Sequence, residues 1–144
     1  MARLEIYGFD ELPIAKIKDD DIRRTIVREM LWAGGRTMKK CMERDINARH
    51  HISGDLAKSV IVTDVHEVVD GGYVEIYPDG EDRRGVSNYM KHKIINTGAW
   101  HKGSAHRWKK DPYMKRVERE NEQNVQKMMR YQMELSMKKL GLTD

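Results

Sequence analysis

The sequence predicts an α+β domain in which a small antiparallel sheet is combined with a long N-terminal helix and a long C-terminal helix. Two stretches with apolar residues every three or four positions, residues 19–46 and 112–140, predict the helices. A stretch between them is rich in Val, Ile and Tyr around a central Asp-Gly-Gly, which predicts a β-hairpin. No linker or internal repeat divides the chain, so we expect residues 1–144 to form a single domain.

The first predicted elements are a short strand and the long N-terminal helix. In the opening RLEIYGFDEL, Leu4 and Ile6 alternate with polar residues, which is typical of a strand. Three consecutive Asp residues, 19–21, favour a helix N-terminus at this point. The positions that step along one face of this helix are Ile22, Ile26, Met30, Ala33, Thr37 and Cys41.

Two consecutive glycines, Gly34 and Gly35, interrupt the helical pattern. Each Gly costs about 1 kcal/mol relative to Ala inside a helix. We therefore expect either a bend there or the close approach of another backbone. Residues 47–54 are predicted to be a connection.

Two strands are predicted in the middle of the chain, within SVIVTDVHEVV and GGYVEIYP, and Asp70-Gly71-Gly72 joins them. Val74 and Ile76 are predicted to share one face of the second strand. The opposite face is predicted to carry Tyr73, Glu75 and Tyr77.

A short amphipathic helix is predicted over residues 86–95, with Gly98 as its stop signal. Pro112 suits the first turn of the C-terminal helix, where its missing N–H costs nothing. This helix is expected to run to about Leu140, and its apolar side is predicted from Met114, Val117, Asn121, Val125, Met128, Tyr131 and Leu135.

The composition limits the possible classes of protein. The chain is 39% hydrophobic and 35% charged, with a formal net charge of +4 that permits contact with nucleic acid or an acidic protein. The single cysteine, Cys41, excludes an internal disulfide and is predicted to be a small buried residue. No apolar run approaches the roughly 18 residues of a membrane span, so we expect an intracellular protein without a membrane segment.

Catalytic and metal-binding patterns are not evident in the sequence. No HExxH, CxxC, GxSxG or phosphate-binding glycine motif is found, so neither catalysis nor a metal or other cofactor is expected. A nuclease-like or toxin–antitoxin component remains a third hypothesis. Solvated or loop positions are the simplest interpretation of the histidines His50, His51, His66, His92, His101 and His106.

The segment NTGAWHKGSAHRWKKDPYM, residues 96–114, is the strongest functional signal. Between residues 91 and 119, nine Lys or Arg residues stand against two acids, a local charge of +7. Trp rings that stack on bases beside cations that bind phosphates would suit nucleic acid. An acidic protein surface, with the Trp pair as interface anchors, would suit the same residues. The candidate interface residues are Trp100, His101, Lys102, His106, Arg107, Trp108, Lys109 and Lys110.

Four segments, taken in order, resemble a known family. SGDLAKSV (53–60) resembles a TG-x-L-x-x-S-I/V motif, and YMKHKIINTGAW (89–100) resembles a short helix that ends at Gly. DPYMKRVERENEQ (111–123) resembles an R-P-F segment that opens a C-terminal helix, and RLEIYGFDEL resembles an opening strand and turn. The residues at the positions of these motifs are Ser53, Gly54, Leu56, Ser59, Gly98, Pro112 and Tyr113.

In this order the segments resemble the head–tail connector family of long-tailed bacteriophages and prophages, whose members are also called neck, tail-completion or minor tail components. Here Ser53 replaces the usual Thr, Asp111 the usual Arg and Tyr113 the usual Phe. Ser53 or Asp55 is expected to cap a turn of helix, with Leu56 turned inward.

The resemblance implies a structural virion protein without catalysis, which forms an oligomeric ring at the junction of capsid and tail during virion assembly. The expected partners are further copies of the chain and other neck and tail proteins, with possible DNA contact in the lumen. The expected location is the virion, after assembly in the host cytoplasm. The alternative is a basic nucleic-acid-binding protein. The number of subunits, the exact position at the neck and the host are left open.

Overall fold

A computed structural model describes residues 2–7, 13–50, 54–69, 71–98 and 110–142, without the side chains of Tyr7 and Ala15. It confirms the α+β class: a four-stranded antiparallel sheet is combined with a long N-terminal and a long C-terminal helix. The elements in chain order are β1 (Ala2–Tyr7), a 3-10 helix (Pro13–Lys16), α1 (Asp20–Arg49), α2 (Asp55–Lys58), β2 (Val60–Val62), β3 (His66–Val68), β4 (Gly71–Pro78), α3 (Asn88–Thr97) and α4 (Tyr113–Lys139).

The sheet is arranged around β4. Its strand order is β1-β4-β2, and β3 also pairs with β4 in the predicted hairpin. The predicted alternation along β4 is confirmed: Val74 and Ile76 are fully buried, whereas Tyr73, Glu75 and Tyr77 on the other face are half-buried.

The hairpin differs from the prediction in two details. The stretch expected to form one strand forms two, because β2 and β3 are separated by residues 63–65 and pair with different parts of β4. The glycines of the predicted turn belong to β4, where Gly71 pairs with Val68 and Gly72 with Glu67. A Cβ on Gly72 would lie 3.1 Å from the carbonyl oxygen of His66. Close packing against β3, and not a turn, therefore favours glycine at position 72.

Helix α1 begins where the acidic run predicted. The carboxylate of Asp19 accepts hydrogen bonds from the backbone N–H groups of Asp21 (2.9 Å) and Ile22 (3.2 Å), so Asp19 is the N-cap. The helix continues to Arg49, so the connection predicted from residue 47 begins only after that residue. Cys41 is buried, as predicted.

The two glycines do not break α1. A Cβ on Gly35 would lie 2.7 Å from Cγ1 of Val62 in β2, and one on Gly34 would lie 2.7 Å from Cγ of Met129 in α4. The close packing at both glycines differs from the predicted approach of another backbone. The approaching atoms belong to side chains rather than to another backbone.

The chain divides into two compact units, one of residues 1–2, 38–61 and 76–121 and the other of residues 3–37, 62–75 and 122–144. Helices α1 and α4 and strands β1, β2 and β4 supply residues to both. In the first unit the buried side chains include Met42, Ile46, Val60, Ile76 and Tyr113. In the second they include Ile26, Leu31, Val74, Val125 and Met133.

Helix α4 buries a narrower face than predicted. Met114, Val117 and Val125 are buried, but Met128 and Tyr131 are 38% and 55% exposed. The prediction that places them on the buried side is wrong, because the buried positions in the last turns of α4 are Met133, Ser136 and Met137. The prediction used apolar residues alone and therefore did not include Ser136, a polar residue at a buried position.

We predict that Gly35→Ala lowers the free energy of unfolding by about 1–2 kcal/mol. The new methyl group meets a β-branched side chain that has little rotamer freedom, and this overpacking exceeds the gain of about 1 kcal/mol in helix propensity. The measurement is urea denaturation at neutral pH.

Gly34→Ala is the matched control, because it has the same gain in helix propensity but meets the flexible side chain of Met129. Its stability should lie within about 0.5 kcal/mol of the wild type. A Gly35→Ala protein as stable as Gly34→Ala would contradict the packing argument.

Candidate functional site

The basic segment that is expected to form an interface, residues 99–110, lies largely outside the described residues. Of its candidate residues, Trp100, His101, Lys102, His106, Arg107, Trp108 and Lys109 are not described, and Lys110 is exposed. Both ends of the segment belong to the described chain. These two anchored ends, at Gly98 and Asp111, form the base of the segment.

Helix α3 leads into the segment. Its N-cap is Ser87, whose hydroxyl oxygen accepts a hydrogen bond from the backbone N–H of Met90 (3.3 Å). It ends at Gly98, which has left-handed dihedral angles of φ 66° and ψ 38° and donates its N–H to the carbonyl of Ile94. The predicted stop at Gly98 is confirmed, and its positive φ explains why a glycine stands there.

The far end of the segment returns to the same helix. The backbone N–H of Asp111 donates to the carbonyl of Ile95 (2.9 Å), and the N–H of Met114 donates to the side-chain oxygen of Asn96 (3.4 Å). Residues 98 and 111 are thus both tied to the last turn of α3. The two ends of the segment are therefore anchored to neighbouring residues of α3.

Arg116 fixes this base by contacting two carboxylates. It lies one turn into α4, and its Nε and Nη2 donate to the two carboxylate oxygens of Asp45 in α1, at 3.1 and 2.7 Å. Its Nη1 and Nη2 donate to the two oxygens of Asp111, at 2.5 and 3.1 Å. Such two-point contacts between a planar guanidinium and carboxylates are among the stronger polar interactions in proteins.

A histidine completes the network. Nε2 of His50 lies 2.6 Å from Asp111 Oδ2 and donates to it, because the carboxylate is ionised. The contact with Arg116, followed by that with His50, lowers the pKa of Asp111 to about 2. The two carboxylates raise the pKa of Arg116 above its ordinary value. At neutral pH the network therefore holds fixed charges that position the base of the segment.

A second, uncharged pair lies beneath the base. Tyr113, the first residue of α4, is fully buried, and its hydroxyl contacts Nδ1 of His92 in α3. Burial lowers the pKa of His92 to about 4 and raises that of Tyr113 above its ordinary value. Both rings are therefore neutral at physiological pH, and the contact is a hydrogen bond between uncharged groups.

The other motif residues have structural roles. Gly54 precedes α2 with a φ of 83°, which favours glycine. Leu56 is buried, as predicted, and the hydroxyl of Ser59 donates to its carbonyl (2.6 Å). Ser53 lies outside the described residues. Pro112 directly precedes α4 instead of lying in its first turn.

The carboxylate of Asp55, a predicted cap, accepts hydrogen bonds from Nε (3.0 Å) and Nη2 (3.0 Å) of Arg83. The N-cap of α2 is Gly54, which has no side chain to cap the helix. Arg83 belongs to the loop before α3. In the same loop, Asp82 accepts hydrogen bonds from the N–H groups of Arg84 (2.8 Å) and Val86 (2.9 Å).

Sequence reasoning missed most of the network. The prediction of solvated histidines is wrong for His92, which is buried, and His50 is half-buried and hydrogen-bonded to Asp111. Asp45 is separated from Arg116 by 71 positions, and no local pattern connects them. The five-residue spacing of Asp111 and Arg116 at the start of a helix was the only available signal.

The described residues form neither a candidate metal site nor a candidate membrane helix. Within the part of the chain that the structure describes, no three His, Cys, Asp or Glu side chains are grouped so that they could hold a metal ion. None of the helices formed by these residues combines the length and apolar character needed to cross a bilayer.

No protein-family model, curated protein or solved structure matches this chain.

We predict that Arg116→Lys lowers the free energy of unfolding by about 2 kcal/mol. Lys retains the charge but cannot make two-point contacts with both Asp45 and Asp111, so partly buried carboxylate oxygens lose their donors. Chemical denaturation at pH 7 measures the effect. Arg49→Lys is the matched control, because Arg49 approaches Asp45 only at 3.8 Å from an exposed position. Equal losses in the two variants would contradict the role given to the network.

We also predict that His92 takes up a proton only near pH 4 in the folded protein. Burial places its folded pKa below the unfolded value of 6.5, so the unfolded state binds more protons between these two values. The contribution of His92 to stability is therefore complete above pH 6.5 and is lost as the pH falls towards 4.

An NMR titration of the histidine ring protons tests this, with the His92 signal assigned as the one missing from His92→Gln. The same titration in urea gives the unfolded value. A midpoint near 6.5 in the folded state would show that the imidazole is not desolvated.

Proposed function

We propose that this protein is a structural subunit of the head–tail connector of a long-tailed bacteriophage or prophage. In this role it forms an oligomeric ring as a neck or tail-completion component. It acts without catalysis or a cofactor, and its partners are further copies of itself and other neck and tail proteins. It is assembled in the host cytoplasm and belongs to the finished virion.

The arrangement at residues 98–111 carries the proposal. A twelve-residue segment with four Lys or Arg, two Trp and no acid is held at both ends by α3 and α4. A ring contact joins one surface of each subunit to a different surface of the next. A Trp-containing segment on a fixed base suits such a contact, because interface anchors are often aromatic and Arg residues.

Exposed apolar side chains support a role in protein contacts. In the first unit, Val86 and Met90 are 46% and 53% exposed at the start of α3. In the second unit, Met128 and Tyr131 are exposed on successive turns of α4. A subunit in a ring needs two distinct contact surfaces, and the two pairs lie on different elements.

The basic segment has two possible orientations in such a ring. Contact with a neighbouring subunit is favoured, since two Trp side chains would be buried there. An orientation towards the lumen would bring its cations to DNA, and binding would then weaken as the salt concentration rises. The four segments that resemble the connector family support the same proposal.

We predict that the purified protein forms a closed ring of about six or more subunits, in which each contact joins two different surfaces. Size-exclusion chromatography with light scattering at low and high salt, followed by negative-stain imaging, measures this. Trp100→Ala combined with Trp108→Ala should greatly reduce the ring population. Trp32→Ala is the matched control, because Trp32 is 39% exposed on α1 and outside the segment.

Two outcomes would oppose the connector. A small species that binds duplex DNA at low salt and releases it as salt rises would favour the basic nucleic-acid-binding alternative. Rings that persist unchanged without either Trp would separate ring formation from the basic segment and remove the observation that carries the proposal.

A further inference from the structure

Strand β1 lies at one end of the sheet, and no strand formed by the described residues pairs with its outer side. The sheet order is β1-β4-β2, so β1 pairs with β4 on one side only. An edge strand presents a row of unpaired N–H and C=O groups, which proteins usually protect with charged side chains, Pro, a bulge, a very short strand or a covering helix or loop. The sequence of β1, ARLEIY, has six residues without Lys or Pro, and its two charged side chains have opposite signs.

The core-facing side of β1 is incompletely covered at its centre. Ala2, Leu4 and Ile6 lie on one face because side chains alternate along a strand. Ala2 and Ile6 are buried, whereas Leu4 between them is only half-buried. A further strand placed beside β1 would cover the remaining surface of Leu4.

The opposite face of β1 carries one cation and one anion, two residues apart. Nη2 of Arg3 donates to Glu75 (2.8 Å), and its guanidinium lies over the ring of Tyr73, 4.4 Å from the centroid. Nη1 of Arg3 makes only a 3.5 Å contact with Glu5, and these side chains are 46% and 37% exposed. An exposed contact of this kind is weak, so both groups can accept a better partner.

We propose that the free edge of β1 pairs with β1 of a second copy of this chain, antiparallel and centred on Leu4. In this register Arg3 of each copy lies opposite Glu5 of the other, so the contact has two ion pairs. The two Leu4 side chains meet on the core face, and Ala2 of each copy lies opposite Ile6 of the other. Opposite charges in directly facing positions stabilise a strand pair, and like charges destabilise it.

The charge pattern also selects the direction of pairing. A parallel pair in register would place Arg3 beside Arg3 and Glu5 beside Glu5. The antiparallel pair is related by a two-fold axis and uses the same surface on both copies. It therefore stands apart from the proposed connector function, whose ring contacts join two different surfaces.

Complementary charge variants test the proposal. Glu5→Arg creates a chain with two cations on this face, and Arg3→Glu creates a chain with two anions. Each variant should repel itself at β1, and its dissociation constant for the two-fold contact should rise about tenfold or more. An equimolar mixture of the two variants restores opposite charges in both pairs and should associate as the wild type does.

Sedimentation velocity over a range of concentrations measures the association, and circular dichroism verifies that each variant is folded. The wild type should have twice the mass of the species formed by either variant alone, whether that species is a free chain or a ring. Glu134→Arg is the matched control, because Glu134 is exposed on α4 and the charge change is the same as in Glu5→Arg.

Two results would overturn the proposal. The first is a wild type with the same mass as the Glu5→Arg protein at every concentration. The second is a mixture of the two variants that gains no mass over its components, which is also the result expected if the edge receives a strand of a different protein. Hydrogen exchange adds an independent readout, since the amides of residues 3–6 should exchange more slowly at high wild-type concentration.

Discussion

The contact of Arg116 with Asp45 and Asp111 is the interaction on which the base of the basic segment depends. One cation lies between two carboxylates that have lost much of their water, and its four hydrogen bonds offset that loss. Asp45 belongs to α1 and Arg116 to α4, while Asp111 is the last anchored residue of the segment. A single side chain therefore joins the two long helices to the point where the segment re-enters the fold. Because Asp111 also receives the hydrogen bond of His50, the four residues form one charged network rather than separate pairs.

Local physical chemistry predicted the long helices and the alternation along β4, but it did not predict the network. The alternation at Val74 and Ile76, the cap at Asp19 and the stop at Gly98 each depend on neighbours within a few positions, and all three are confirmed. The environment of His92 depends on a tyrosine 21 positions away, and that of Asp45 on an arginine 71 positions away. Composition and periodicity carry no information on such pairs. The same limit applies to α4, where a buried Ser136 interrupts the apolar pattern and the exposed Tyr131 continues it.

The network also changes the charge that the segment presents. The sequence window 91–119 has nine cations and two acids, but the structure adds two acids from outside the window. Lys91 pairs with Asp82, and Arg116 pairs with Asp45, so two of the nine cations have an acidic partner from outside the window. Among the described residues of the window, Lys93, Lys110, Lys115 and Arg119 are exposed. Part of the positive charge of the window is thus paired with acids, and part of it is carried by exposed side chains.

This distribution is compatible with both protein docking and DNA contact in the proposed ring. Phosphate contacts weaken steeply with salt, whereas buried aromatic anchors do not depend on ionic screening in the same way. A segment with four Lys or Arg and two Trp contains both kinds of group. Because α3 and α4 are already folded at its base, binding through either kind of group does not require these helices to form. The edge of β1 differs, because its one cation and one anion compensate each other within the strand. In the proposed β1 pair, the charges of Arg3 and Glu5 select the register and the antiparallel direction of the two strands. At the basic segment, the excess of positive charge favours a negatively charged partner.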